Sequence, residues 1–345
     1  MAETKVPLDA PEAVTATSPP SAERGGRRFE PKNLGEIGAL VVLVVLFAVL
    51  NPETFLTLTN LRTVLDQASV PLVVGVGATL VILMGSIDLS VEGVMGAACM
   101  AFVLTSANDR NGLDLGAGAV VVALAVGAVL GLLSGLIHTR LRVPSFIVTL
   151  GVWFVGIGVA TILLGDQAIP YLQSQSLTDW PSSHPLGLPN DVLLAALVVV
   201  LGFLITRFTR LGRYTYAIGD NEQIARDNGV RVPVHKLYVF MIAGVCSALA
   251  GVVAGMQLGA GAVGVGLGTL FLTIAAVVIG GTSLGGGKGG ILRTALGVAL
   301  LTVLNNGLVL SGVPATIQSA VSGGVLVLAI VAAGWAHRDR LRIAK

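Results

Sequence analysis

The sequence predicts an all-α, polytopic membrane protein with about ten transmembrane helices and both termini in the cytoplasm. Three observations carry this. Of the 345 residues, 54% are hydrophobic and only 12% are Asp, Glu, Lys or Arg, against about a quarter charged in soluble domains. With a mean hydropathy of +0.87, the chain has too few polar groups to cover a water-facing surface, which excludes a soluble globular fold. The 45 glycines sit inside Val/Leu/Ala runs, where glycine lets membrane helices approach closely. The third observation is the placement of Lys and Arg, which the elements taken in order bring out.

Residues 1–33 mix Pro7, Pro11, Pro19, Pro20 and Pro31 with Ala, Thr, Ser and Glu, a composition that reads as a disordered cytoplasmic tail. Arg24, Arg27, Arg28 and Lys32 then lead into the first apolar run, 34–50. A signal peptide shares that basic flank, but Asn51-Pro52-Glu53 follows without a small-x-small cleavage site, so the run reads as an uncleaved span. A crossing needs about 20 apolar residues. Cutting at charges and at Pro/Asn/Gly clusters gives spans at 34–50, 64–84, 88–107, 116–138, 144–164, 190–207, 237–259, 268–284, 290–310 and 313–335. Residues 34–336 thus form the transmembrane domain, with 209–236 as its long cytoplasmic loop and 337–345 as a basic cytoplasmic tail.

With the N-terminus inside, every Lys and Arg except Arg62 and Arg110 falls on the cytoplasmic side, as the positive-inside rule requires. Removing any one span would invert all later loops and destroy that segregation. The external loop 165–189 carries Asp166 and Asp179 but no Lys or Arg. Tyr171 and Trp180 fall at the outer interface, and Tyr214, Tyr216, Tyr238 and Trp335 near inner ends, where amphipathic rings favour the headgroup level.

Three segments stand out as candidates for function. In the cytoplasmic loop, Asp220 or Asn221 can cap a helix, Glu222 complements its dipole, Gln223 completes a capping box with Asp220, and Asn228-Gly229 offers a left-handed end. A helix of about two turns is too short to stand alone in water, so it reads as wanting a partner surface or as a simple connector. The glycine run 280–290 invites a phosphate-loop reading, but a Walker A loop needs Gly at 282 and a hydroxyl at 289, where this chain has Thr282 and Gly289. Close backbone approach or a broken helix is the alternative. In Gly85-Ser-Ile-Asp-Leu-Ser-Val-Glu92, Asp88 and Ser90 read either as a helix start or as a substrate contact.

Other patterns reduce to packing. Gly127, Gly131 and Gly135, and likewise Gly251, Gly255 and Gly259, recur on one helix face. Gly259-x-Gly261-x-x-Gly264 has no βαβ unit around it and reads as an external turn. Gly-Ser after the second span and Gly-Thr-Ser-Leu after the eighth form a weak internal echo. Cys99 and Cys246 read as buried thiols, and the four histidines lack partners at ligand spacing. Neither paired catalytic carboxylates nor a nucleophile–base arrangement appears, and no Asp or Glu lies between Asn228 and Arg338. An enzyme is disfavoured, no cofactor is expected, and an ion-coupled secondary transporter stands as the alternative to a driven pore. A net charge of +2 implies no nucleic-acid partner.

From about residue 36 the chain resembles the membrane permease subunit of bacterial ATP-binding cassette importers for simple sugars, the ribose/xylose/galactose group. The likeness rests on Gly-Ala-Thr-Leu-Val-Ile-Leu-Met-Gly-Ser-Ile-Asp-Leu-Ser-Val at 77–91, Val-Pro-Ser-Phe-Ile-Val-Thr-Leu-Gly at 143–151 and Arg-Leu-Gly-Arg-Tyr-Thr-Tyr-Ala-Ile-Gly-Asp-Asn-Glu at 210–222. Ala-Val-Val-Ile-Gly-Gly-Thr-Ser-Leu-Gly-Gly-Gly-Lys-Gly at 276–289 and Asn-Asn-Gly-Leu at 305–308 complete it. The resemblance implies a pore in the bacterial inner membrane, made by two permease copies or by this chain and a related one, in contact with membrane lipid. It implies ATPase subunits beneath the pore and a periplasmic or lipid-anchored sugar-binding protein outside. Gly219, Asp220, Asn221, Glu222, Ala225 and Gly229 would couple to the ATPase, and Asp88, Ser90, Thr282, Ser283, Asn305 and Asn306 would line or gate the pathway. Glu92, where a small residue is usual, and Asp220, where glycine is common, depart from the pattern.

Overall fold

The computed structural model describes residues 33–314 and, beyond them, 316–318, 320, 321, 323, 324 and 327. The tail at 1–32, most of the tenth expected span and the basic tail at 337–345 lie outside the described residues. The elements are α1 Asn33–Leu50, α2 Leu58–Leu83, α3 Val91–Thr105, α4 Gly118–Arg140, α5 Ser145–Leu164 and α6 Gln175–Asp179. They continue with α7 Asn190–Phe208, α8 Arg210–Asp220, α9 Glu222–Asp227, α10 Val232–Leu258, α11 Thr269–Ile279 and α12 Ile291–Leu310. Among the described residues there is no strand, only the isolated bridges of Asn108 with Leu172 and Tyr171 with Ala260.

Six helices (α2, α4, α5, α7, α10 and α12) are long and apolar enough to cross a membrane, and α1, α3 and α11 are shorter apolar helices. The chain is a multi-pass membrane protein. Its loops gather at two ends. At one, 84–90, 141–144, 209–231 and 280–290 meet, and Arg140, Arg142, Arg207, Arg213, Arg226, Arg231, Lys288 and Arg293 lie there. At the other, 106–117, 165–189 and 259–268 meet through the two bridges, and Asn51 donates to Ser311 Oγ at 3.0 Å.

Where the expected third and eighth spans stood, the helices have 15 and 11 residues. At 1.5 Å per residue, α11 covers about 16 Å of a hydrocarbon core about 30 Å thick. Irregular backbone makes up the rest. The Gly259–Gly264 segment, expected as an external turn, starts as one, with Gly261 N donating to Pro170 O at 2.9 Å, and the chain then runs back into the bundle along α3: a Cβ at Gly96 would overlap the Val263 carbonyl, and one at Gly266 would lie 3.1 Å from Met95 Cβ. Small residues permit that approach. Buried Glu92 closes the path, its Oε1 accepting from Gly268 N at 3.0 Å and Leu270 N at 3.3 Å, the first amides of α11. A carboxylate at a helix start satisfies amides that have no partner within the helix.

α10 lies at the centre and packs along α4, α2 and α3. Its contact with α4 is the glycine stripe read from sequence: a Cβ at Gly127 would overlap Gly244 O, one at Gly131 would overlap Phe240 O, and one at Gly135 would lie 3.0 Å from Leu237 Cα. On another face, Gly251 meets Met95 backbone, and a Gly255 Cβ would lie 2.9 Å from Cys99 Sγ. Gly259 is not part of that stripe; it ends α10 in left-handed conformation, φ 67°. Both thiols are buried and free.

Candidate functional site

Three backbone segments converge at the basic end. α2 closes with Gly85 at φ 75°, Gly85 N donating to Ile82 O (2.9 Å) and Ser86 N to Val81 O (3.1 Å). α11 closes the same way, with Gly281 at φ 77°, Gly281 N donating to Val278 O (2.9 Å) and Thr282 N to Val277 O (3.0 Å). These are paired helix-ending bonds that need glycine at the left-handed position, so the echo in sequence is an echo in geometry. Gly287 N then donates to the Leu83 carbonyl at 2.9 Å, joining the two closures. The end of α8 fits between them. A Cβ at Gly219 would lie 2.5 Å from Gly287 N and would overlap Leu83 O, and one at Gly286 would lie 3.0 Å from Gly219 Cα. Tyr216, one turn earlier on α8, donates its hydroxyl to Gly289 O at 3.0 Å.

The polar residues expected in the pathway divide between the two ends. Asp88 is buried, and its Oδ1 accepts from Ser90 N (2.8 Å) and Ser90 Oγ (2.6 Å), closing the loop locally. Ser90 stands at the N-cap of α3 without a side-chain capping bond. α5 braces the segment: Ile87 N donates to Ser145 Oγ at 3.0 Å and Leu89 N to Thr149 Oγ1 at 2.9 Å. Asp88 is the one charged side chain on a cavity of ≈ 330 Å³ whose walls include Ala78, Ile82, Phe146, Ile274 and Leu284. Thr282 is buried and accepts from Gly290 N at 3.3 Å, while Ser283 is exposed. Asn306 lies at the opposite end, in a reciprocal amide pair with Asn60 at 2.9 and 3.1 Å, with Asn305 beside it on α12.

The long loop holds two helices rather than one. α8 buries Gly212, Thr215 and Ile218 on one face and starts at Thr209, whose hydroxyl accepts from Gly212 N at 3.3 Å. Asp220 is the last residue of α8, so it cannot cap the next helix. Asn221 does so, its Oδ1 accepting from Ile224 N at 3.0 Å. The box with Gln223 is absent for the same reason, and Gln223 donates to Asp227 at 2.9 Å instead. α9 has six residues, and Gly229 follows it at φ 82°. Ala225, expected on the docking face, is 4% exposed and packs with Leu80, Val81, Ile218 and Phe240, so it seats α9 on its own bundle. Ile224, 59% exposed, faces away. Glu222 pairs with Arg226 and Lys236, each at 2.8 Å. Burial alone would raise its carboxyl, but those two cations hold it below the ordinary value.

One polar cluster escaped the sequence reading. Asp191, at the start of α7, is 1% exposed; its Oδ2 accepts from Ser69 Oγ (3.1 Å) and Gln257 Nε2 (2.7 Å), and Asp66 lies beside the same side chain. Two carboxylates thus lie side by side at the start of α7, brought together from residues far apart in sequence. No local spacing could have flagged them. Among the described residues no group of three or more His, Cys, Asp or Glu is placed to hold a metal ion.

Comparison with known proteins adds the class. The family model described as branched-chain amino acid transport system / permease component matches residues 60–330. The chain is 37% identical over 312 residues to the ribose import permease protein RbsC of Escherichia coli (strain K12), covering 89% of this chain and 96% of that one. It is 34% identical to the D-allose transport system permease protein AlsC (86% and 90% covered) and 30% identical to the galactofuranose transporter permease protein YtfT (88% and 91% covered), both of the same strain.

Proposed function

The chain belongs to the family of branched-chain amino acid transport system permease components, and from that premise we propose that it forms the translocation pathway of an ATP-driven importer for a monosaccharide or similar small polar solute. It is a permease subunit, not an enzyme; ATP is hydrolysed by a separate cassette subunit docked at the basic end. By the positive-inside rule that end faces the cytoplasm; the reading is ten spans in the bacterial inner membrane, both termini inside, and a sugar-binding protein at the opposite mouth. A second copy or a related permease completes the pore.

The observation that carries the mechanism is the junction of Gly219 with Leu83 and Gly287. α9 exposes Ile224 and Arg226 outward, while α8 touches the backbone closures of α2 and α11 directly. Displacement of the α8–α9 pair by a closing ATPase dimer would therefore move both closures, including the segment that holds Asp88 on its cavity. Such rigid-body coupling is how alternating access is driven without chemistry in this chain. Asn221, Glu222 and Gly229 shape the docking helix, Ala225 seats it, and Gly219 and Asp220 form its link to the core. Asp88, Ser90, Thr282 and Ser283 stand at the inner gate, and Asn305 and Asn306 near the outer one.

Reconstitution of the chain with its ATPase and binding protein tests this: a cognate sugar should stimulate ATP hydrolysis and accumulate. The carrier alternative predicts uptake without an ATPase that collapses with a protonophore, and that outcome would overturn the proposal.

A further inference from the structure

Between the end of α4, the start of α5 and the α9–α10 turn lies a groove of ≈ 850 Å³, of whose lining the translocation mechanism uses only Glu222 and Arg226 on α9. His138, Arg142, Glu222, Arg226, Arg231 and Lys236 carry its charge. Glu222 is the one carboxylate on that wall, and Arg226 and Lys236 already occupy it. Arg142 and Arg231 have no ion-pair partner among the described residues. The groove is thus lined by two arginines, both exposed, that no carboxylate pairs among the described residues.

Arg142 is placed at a conformational cost. It follows the end of α4 with φ 55°, the one positive value outside glycine among the described residues. Glycine is the usual residue where a helix ends in that conformation, and another side chain there is strained. The Arg142 side chain is exposed on the groove wall, where its charge is open to an occupant. Apart from Thr139, the rest of the wall is apolar, formed by Val143, Pro144, Val230, Val232, Pro233 and Val234. Beside it, Leu141 is 69%, Ile147 51% and Tyr238 49% exposed. Cations over an apolar wall at the rim of transmembrane helices suit an occupant that is anionic at one end and hydrocarbon at the other.

We infer that this groove binds the phosphodiester headgroup of an anionic membrane lipid, held by Arg142 and Arg231 beside the α9 helix. Basic pockets between helices on the cytoplasmic side are the usual setting for such headgroups. The inference rests on the sidedness proposed above but not on transport.

The test is lipid retention by the full chain in nanodiscs of phosphatidylcholine containing phosphatidylglycerol, followed by delipidation and native mass spectrometry. Wild type should retain phosphatidylglycerol, and Arg231→Gln should retain about fivefold less, the worth of one cation near an anionic headgroup. Arg142→Gly removes a charge while relaxing the backbone, so its loss of lipid would not reflect misfolding, and Arg142→Lys should keep the lipid. Arg213→Gln, on the exposed face of α8, should change nothing. Retention by Arg142→Gly equal to wild type would overturn the inference. So would displacement of the lipid by one equivalent of the ATPase subunit, which would assign the groove to protein docking, or by inorganic phosphate, which would assign it to a soluble anion.

Discussion

Gly219→Ala is the smallest perturbation that separates transport from energy supply. The added Cβ would lie 2.5 Å from Gly287 N and 3.0 Å from the Leu83 carbonyl carbon. Both obstacles are backbone, so no rotamer change relieves them, and α8 must withdraw by roughly an ångström or the closures must part. Overpacking of this kind costs about 1–3 kcal/mol, which shifts the balance between a seated and an unseated α8 by about 5- to 150-fold. The assay is the ratio of sugar taken up to ATP hydrolysed in the reconstituted importer. That ratio should fall at least about fivefold, with the chain still inserted and the ATPase still turning over. Gly158→Ala in α5, where a Cβ meets nothing within 4 Å, should leave it unchanged. A Gly219→Ala importer with the wild-type ratio would refute transmission through this contact.

Other predictions follow from single contacts. Glu222 has a carboxyl held below the ordinary 4.5; a value depressed by folding stabilises above the unfolded pKa and is lost as pH falls through the folded one. Protection of the α9 amides, exchange measured against the intrinsic rate at each pH, should therefore fall as the pH drops below 4.5, and E222Q should show that lower protection already at neutral pH. Asn306→Ala breaks the amide pair and leaves part of Asn60 unsatisfied, at about 1–3 kcal/mol. In a thermal-unfolding double-mutant cycle with Asn60→Ala, the double variant should lose less than the sum of the singles. Glu92→Leu strips the acceptor from two amides of α11, costing about 2–4 kcal/mol. Limited proteolysis at 259–268 should then accelerate, with E92Q intermediate; equal rates for all three would sink the capping role.

Much of the fold was legible because the bilayer imposes simple requirements on a sequence. The long spans were read to within a few residues wherever apolar runs met a charge or a proline, as at Ser145 and Asn190. α2 and α10 began earlier than expected, at Leu58 and Val232, because Thr57 capping and Pro233 start helices in polar sequence that a hydropathy cut discards. The half-length α11 was illegible: its start is set by Glu92, far away in the chain, and by the room that Gly96 leaves for Val263. The same limit hid Asp66 with Asp191 and turned Ala225 inward. What the sequence did announce at the site was glycine, since Gly85, Gly219 and Gly281 each occupy a place where a side chain meets backbone or a left-handed turn.

The seat of α8 also sets an order of biogenesis. Leu83 is made before α8, but Gly287 follows it by roughly seventy residues, several seconds at about 5–20 residues per second. Until α11 has threaded and its closing loop has folded back, α8 has only half its socket. A chain interrupted before that point would carry α8 without the surface that holds it still. The seat of α8 is complete only once Gly287, near the end of the chain's long glycine run, has been made.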